Sequence, residues 1–139
     1  MEKKKKPTPE QLNIVIVDDE SDALNLMAFF LQQMPQVHLL ASYSSGQQAI
    51  RGIKSSTVKP DIIFTDISMP DIDGIELSKK IRKILPEVAF VFITAYNHYA
   101  PETTEIKPIG FLQKPIESSE MFHCIKLFLA KSGNYKAQP

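Results

Sequence analysis

Much that would point to a particular chemistry is missing from this chain. Cys124 is its only cysteine, which excludes an internal disulfide. The three histidines, His38, His98 and His123, show no ligand spacing with it or with one another, so neither a zinc centre nor a redox pair is expected. Charge of one sign is also absent in excess. Sixteen basic and sixteen acidic side chains cancel, and no overall field draws the molecule to nucleic acid or an anionic membrane. No apolar run approaches the roughly 18 to 20 residues that span a bilayer, and the N-terminus lacks the apolar core of a signal peptide. A cytoplasmic protein with no membrane association is the expectation.

What is present suits one domain. At 139 residues and 43% hydrophobic, the chain has apolar material for a single core and too little length for two. Residues 1–11, MEKKKKPTPEQ, combine a lysine run with two prolines and read as a disordered leader. Residues 132–139 read as a flexible tail, with the domain between them over 12–131.

Within 12–131 two kinds of segment alternate. Short apolar runs of strand length occupy Leu12–Val17, Val37–Ala41, Asp61–Thr65, Val88–Ile93 and, more weakly, Ile109–Leu112. Their lack of polar alternation predicts a parallel sheet covered on both faces. Helical patterns separate them. Leu24, Met27, Ala28, Leu31 and Met34 recur at helical intervals, as do Ala49, Ile50 and Ile53, then Leu77, Ile81 and Ile84. The last helix is expected over about Ser118–Ala130, with Ser118 as its N-cap. Residues 97–107 give the poorest helical pattern, which suits either a switching element or a polar loop. The order, strand then helix five times, predicts an α/β doubly wound parallel sheet in three αβα layers.

Polar residues collect where strands stop. The first strand runs into Asp18, Asp19 and Glu20, the third into Asp66, the fourth into Thr94 and the fifth into Gln113, Lys114 and Pro115. In a parallel sheet these ends share one edge, the one at which open α/β folds bind ligands. Aspartates gathered there raise one another's pKa unless a cation joins them. Magnesium suits a few carboxylate oxygens with a backbone carbonyl: Asp18 or Asp19, Asp66, and a carbonyl just after Asp66. Lys114 adds a point charge and Thr94 a hydroxyl, which completes the parts needed to hold a phosphoryl group; Asp66 could itself accept it as an aspartyl phosphate. Each part also has an ordinary reading. The acidic trio could cap a helix, MPDIDG is turn chemistry, Thr94 is a strand residue and Lys114 a surface lysine.

With IVIVDDE, DIIFTDISMPDIDGIEL, VFITAY and GFLQKP in this order, the sequence closely resembles the receiver domain of two-component response regulators, the CheY-like superfamily. VFITAYNHYA and FLQKP look most like receivers of LytTR-type regulators. The resemblance implies a (βα)5 flavodoxin-like fold and Mg2+-dependent phosphoryl transfer to Asp66 from a sensor histidine kinase or phosphotransfer protein. It implies Asp18 and Asp19 as the acidic pocket, with Asp19 favoured as the direct metal ligand, and the Ser68 carbonyl as a further ligand. Thr94 and Lys114 would bond phosphoryl oxygens, and Phe111 would turn inward with Thr94 as the switch aromatic. A cis bond at Pro115 is implied as well. The Ser68 and Tyr96 side chains would tune phosphoryl lifetime, and a bulky Tyr96 predicts slow self-dephosphorylation.

The chain is accordingly expected to be a self-phosphorylating and self-dephosphorylating signalling domain, not a turnover enzyme. Its fourth helix, fifth strand and fifth helix would change surface to control an output domain or partner, with homodimerisation through the same region a family habit. No direct nucleic-acid binding by this chain is expected. Two rivals stand beside this reading. A pseudo-receiver that only binds partners would lack the aspartate or lysine, and both are present. A magnesium-dependent aspartyl-phosphate phosphohydrolase would need a general acid two residues past the nucleophile, where Ser68 stands.

Overall fold

Apolar runs of this length, too short for buried helices and rich in β-branched side chains, form strands as expected. The computed structural model describes residues 11–95 and 103–132. In chain order the elements are β1 (Leu12–Val17), α1 (Ser21–Gln32), β2 (Val37–Tyr43), α2 (Gly46–Ser55), β3 (Ile62–Asp66), α3 (Gly74–Ile84), β4 (Ala89–Thr94), α4 (Thr103–Ile106), β5 (Gly110–Gln113) and α5 (Ser118–Ser132). All strand pairs are parallel, in the order β2-β1-β3-β4-β5. This is the (βα)5 flavodoxin-like arrangement, with a switch of winding direction at β1 and β3. The leader to residue 10, the tail from residue 133 and Tyr96 lie outside the described residues.

Period-two alternation divides the core. Ile14, Ile16, Ile62, Phe64, Val91, Ile93 and Leu112 face one layer, where Met27 and Leu31 of α1 and Met121 and Ile125 of α5 meet them. Val15, Val17, Ile63, Phe90 and Phe92 face the other, against Ala49 and Ile53 of α2, Leu77 and Ile81 of α3 and Ile106 of α4. Burial of each such large side chain stabilises the fold by roughly 1.5–3 kcal/mol. The same parity decides where the polar strand ends point. Asp66 continues the face of Ile62 and Phe64, and Asp18 that of Ile14 and Ile16, on the α1/α5 side. Thr94 continues the face of Phe90 and Phe92, on the α2–α4 side.

Several boundaries differ from the sequence expectation, each for a local reason. The third strand starts at Ile62, not Asp61; Asp61 stands just before it, where its N–H donates to the Asn13 carbonyl at 2.7 Å and its carboxylate accepts the Asn13 N–H at 2.8 Å. Helix α5 begins on Ser118. Its first carbonyl bonds come from Glu117, which accepts the N–H groups of Glu120 and Met121, so Ser118 is the first helical residue and not the cap. Of the weak helical pattern over 97–107, residues 97–102 lie outside the described residues, and a helix, α4, is present at Thr103–Ile106. It stops at Lys107, whose φ of 55° is left-handed, with Pro108 following. Arg82 of α3 holds that helix. Its guanidinium lies over the Phe90 ring at 5.3 Å and donates to the carbonyls of Val88 (3.1 Å) and Ile106 (2.5 Å).

Candidate functional site

Asp66 is the last residue of β3, inside the strand and only 5% exposed. A carboxylate can end a buried strand only if the edge supplies partners, because an unpaired buried charge costs several kcal/mol. Two partners are present. Asp66 Oδ1 accepts the Ser68 N–H at 3.1 Å, and Oδ2 lies 3.1 Å from Lys114 Nζ. Lys114 follows β5, and its own N–H is tied to the Thr94 carbonyl at 2.9 Å, so β4 fixes where the lysine leaves the sheet. The Lys114–Pro115 peptide is cis, as the resemblance implies.

Asp18 comes from the neighbouring strand and is 0% exposed. Its N–H donates to the Tyr43 carbonyl at 3.1 Å, and its Oδ1 accepts the Glu20 N–H at 2.9 Å. Lys114 Nζ approaches Asp18 Oδ2 to 3.1 Å, yet that oxygen receives no aligned hydrogen bond. Burial raises the Asp18 carboxyl to about 6; the Glu20 N–H opposes this, the Asp66 charge adds to it, and Lys114 opposes it. Lys114 answers in the other direction. Burial lowers its pKa, but hydrogen bonds to Glu20 and Asp18 and the charges of Asp66 and Asp18 outweigh burial and raise it. The ammonium is therefore fully charged and serves three carboxylates at once, including Glu20 at 2.5 Å.

Asp18, Asp19 and Asp66 each bring a carboxylate oxygen into a cluster whose members lie within 4.8 Å of one another. An all-oxygen donor set of this charge suits a hard divalent cation. The buried Asp18 Oδ2, which has Lys114 Nζ at 3.1 Å but accepts no hydrogen bond, fits such a ligand role. Two of the ordinary readings fail at this edge. The acidic trio does not cap α1: Glu20 is the N-cap residue and its side chain makes no capping bond. Lys114 is no solvated lysine, its side chain being 19% exposed.

Thr94 is buried at the end of β4. Phe111 pairs in register with Phe92 and packs against its ring at 6.0 Å between centroids, on the layer that holds Ile106 of α4. Thr94 and Phe111 thus share the face opposite to that of Asp18 and Asp66. A group at the sheet edge can reach both layers, the metal-type oxygens on one side and the α4 region on the other.

Sequence reasoning missed three contributors. Gly74, the first residue of α3, lets that helix approach the acidic strand end: a Cβ there would stand 2.3 Å from the Asp66 carbonyl oxygen and 3.0 Å from Ile67 Cα. Its N–H donates to the Ile67 carbonyl at 2.7 Å. Asp73 caps the same helix by accepting the Glu76 N–H at 2.7 Å, so within MPDIDG this residue serves the start of α3. Glu20 pairs with Lys114 although its side chain is 63% exposed, and the hydrogen bond to Lys114 lowers its pKa. The Asp-Gly pair before a helical stripe was a usable signal for Gly74; nothing local marked the Glu20 contact.

Comparison with known proteins converges on the same elements. A family model described as the response regulator receiver domain matches residues 14–126. The positive alginate biosynthesis regulatory protein of Pseudomonas aeruginosa is 33% identical over 116 residues, covering 83% of this chain and 46% of that protein. The sensory transduction protein LytT of Bacillus cereus is 27% identical over 117 residues, covering 84% of this chain and 47% of that one. This chain therefore spans just under half the length of these relatives. Among solved structures, the response regulatory domain of MrkE from Klebsiella pneumoniae superposes with a TM-score of 0.73 at 25% identity, over 91% of this chain and 100% of that one. A receiver domain from Clostridium thermocellum reaches 0.76 at 23% identity, over 90% and 99%. A model that matches most of the chain and a relative one-third identical over its folded part leave a single assignment: this chain belongs to the receiver-domain family of response regulators.

Proposed function

We propose that the chain accepts a phosphoryl group on Asp66 from the phosphohistidine of a sensor kinase or phosphotransfer protein, in a Mg2+-dependent reaction in the cytoplasm. The observation that carries this reading is the Asp66 carboxylate, buried at the strand-end edge with Lys114 Nζ 3.1 Å away and Asp18 and Asp19 beside it. Asp18, Asp19 and Asp66, with the Ser68 carbonyl, would hold the ion. Bound Mg2+ would supply positive charge to offset the phosphoryl oxygens.

The chain's own residues do the rest. An Asp66 carboxylate oxygen attacks phosphorus; the phosphorus–nitrogen bond to the donor imidazole breaks, and its electron pair leaves with the imidazole. Lys114, held charged by its carboxylate partners, neutralises a phosphoryl oxygen and is freed from part of its pairing with Asp66 as the carboxylate becomes an acyl phosphate. Thr94 bonds another oxygen. Phe111, on the same layer as Thr94 and α4, follows, and the surface of α4, β5 and α5 shifts population toward the form an output domain or partner reads. The chain acts as a phosphoacceptor, and the longer relatives make a separate output segment the natural recipient of the switch.

Incubation with acetyl phosphate and Mg2+ should add one phosphoryl group to the intact mass, and omission of Mg2+ or addition of a chelator should prevent it. Equal uptake with and without Mg2+ contradicts the proposed role of the acidic cluster.

A further inference from the structure

Behind the acidic cluster lies a set of contacts that the phosphoryl reading does not use. The loop between β3 and α3 carries Ser68, and it is fastened to α2, a helix that contributes no residue to the cluster. Asp71 Oδ2 accepts the Gln47 N–H at 2.8 Å and Oδ1 accepts the Gly46 N–H at 3.3 Å. These belong to the first turn of α2, where N–H groups have no partner inside the helix. Beside them the Ile72 side chain lies over Gly46 so closely that a Cβ at 46 would stand 2.4 Å from Ile72 Cγ1.

This contact is not what starts α2. Ser45 already caps the helix locally by accepting the Gln48 N–H at 3.2 Å. Asp71 reaches across from a segment about two dozen residues later and takes the two N–H groups that Ser45 leaves open. The same helix also braces the other side of the cluster. Gly52 makes room for the Tyr43 ring, and Tyr43 is the residue whose carbonyl accepts the Asp18 N–H. Asp18 and the Ser68 loop thus both lean on α2.

We propose that Asp71 is a positioning residue: by clamping the β3–α3 loop to the N-terminus of α2, it holds the Ser68 carbonyl in place and sets the affinity of the acidic cluster for a divalent cation. The proposal rests on reading that cluster as a Mg2+ site. Outer partners that orient metal ligands are worth roughly 10–100-fold in affinity, and a clamp acting through a loop belongs at the lower end, about tenfold.

The test is a Mg2+ titration of the full chain followed by backbone amide NMR shifts, for wild type, D71A and D71N, with melting temperatures taken in the absence of Mg2+. Both variants remove the same negative charge, but asparagine keeps an acceptor oxygen for the α2 N–H groups. D71A is expected to bind about tenfold more weakly and D71N within about threefold of wild type. Equal weakening in both would assign the effect to charge alone and overturn the proposal. So would a lowered melting temperature with unchanged affinity, the mark of a merely structural cap. Wild type that does not bind Mg2+ would remove the metal reading itself, an outcome distinct from the other two.

Discussion

Replacing Asp18 with asparagine is expected to make the Mg2+-free protein more stable, by about 2–3 kcal/mol at neutral pH, while destroying its response to Mg2+. The carboxyl is 0% exposed and burial raises it from 3.8 to about 6, so ionising it opposes folding. Moving the carboxyl from 3.8 to about 6 corresponds to roughly 3 kcal/mol, and asparagine mimics the neutral form without that cost. The sign follows from linkage. A carboxyl whose folded pKa is raised contributes most stability below its unfolded value near 4; that contribution falls as pH rises and is gone above about 6. Wild type minus D18N should therefore show a stability difference that opens between pH 4 and 6 and stays constant above. Taking the difference cancels Asp61, also raised by burial. With Mg2+ added, wild type should gain stability by mass action and D18N should gain little. Thermal melts across pH, with and without Mg2+, provide the check; a D18N protein less stable than wild type at pH 7.5 would contradict the reading of the pocket.

The second large effect is expected at Gly74. Alanine is the better helix former by roughly 1 kcal/mol, so propensity alone predicts a gain from G74A. Geometry predicts the reverse. The new Cβ would meet the Asp66 carbonyl oxygen at 2.3 Å, and that atom is strand backbone, not a side-chain tip that can swing away. Relief requires α3 to withdraw from the end of β3, which also stretches the 2.7 Å bond from the Gly74 N–H to Ile67. Overpacking of this kind costs about 1–3 kcal/mol. Because the displaced backbone carries the acceptor, phosphoryl uptake should fall by roughly 10–100-fold, as misplacement near 1 Å does to reacting groups. Denaturant melts and the rate of mass gain measure the two effects; wild-type stability together with wild-type uptake would show that the approach is not tight.

The placement of Asp18, Asp66, Thr94 and Lys114 was legible in the sequence because one rule carries it: parallel strands end at one edge, whatever lies between them. Strand parity then sorts Asp18, Asp66 and Thr94 onto their layers. Contacts made by backbone approach were not legible. MPDIDG reads as a turn, and nothing in its composition says that Asp71 bonds Gly46 and Gln47 or that Gly74 sits against Asp66. Such features depend on how two distant segments meet in space. Ser118 shows the limit at a helix start. Serine is the stronger capping type, yet the carbonyl that opens the helix belongs to Glu117. The end of α4 is a further case, since Lys107 and Pro108 stop a helix that polar periodicity alone leaves undefined.

Asp66 as the phosphoacceptor is tested most directly by chemical trapping. After incubation with acetyl phosphate and Mg2+, borohydride reduction converts an acyl phosphate to the corresponding alcohol, and peptide mass mapping locates the residue changed. Homoserine at position 66 alone, absent when the donor is omitted and absent in D66N, is the expected result. Reduction at Asp18 or Asp19, or no reduction in a chain that binds Mg2+ and is offered a phosphohistidine donor as well, would contradict it and return the chain to the class of receivers that only bind partners.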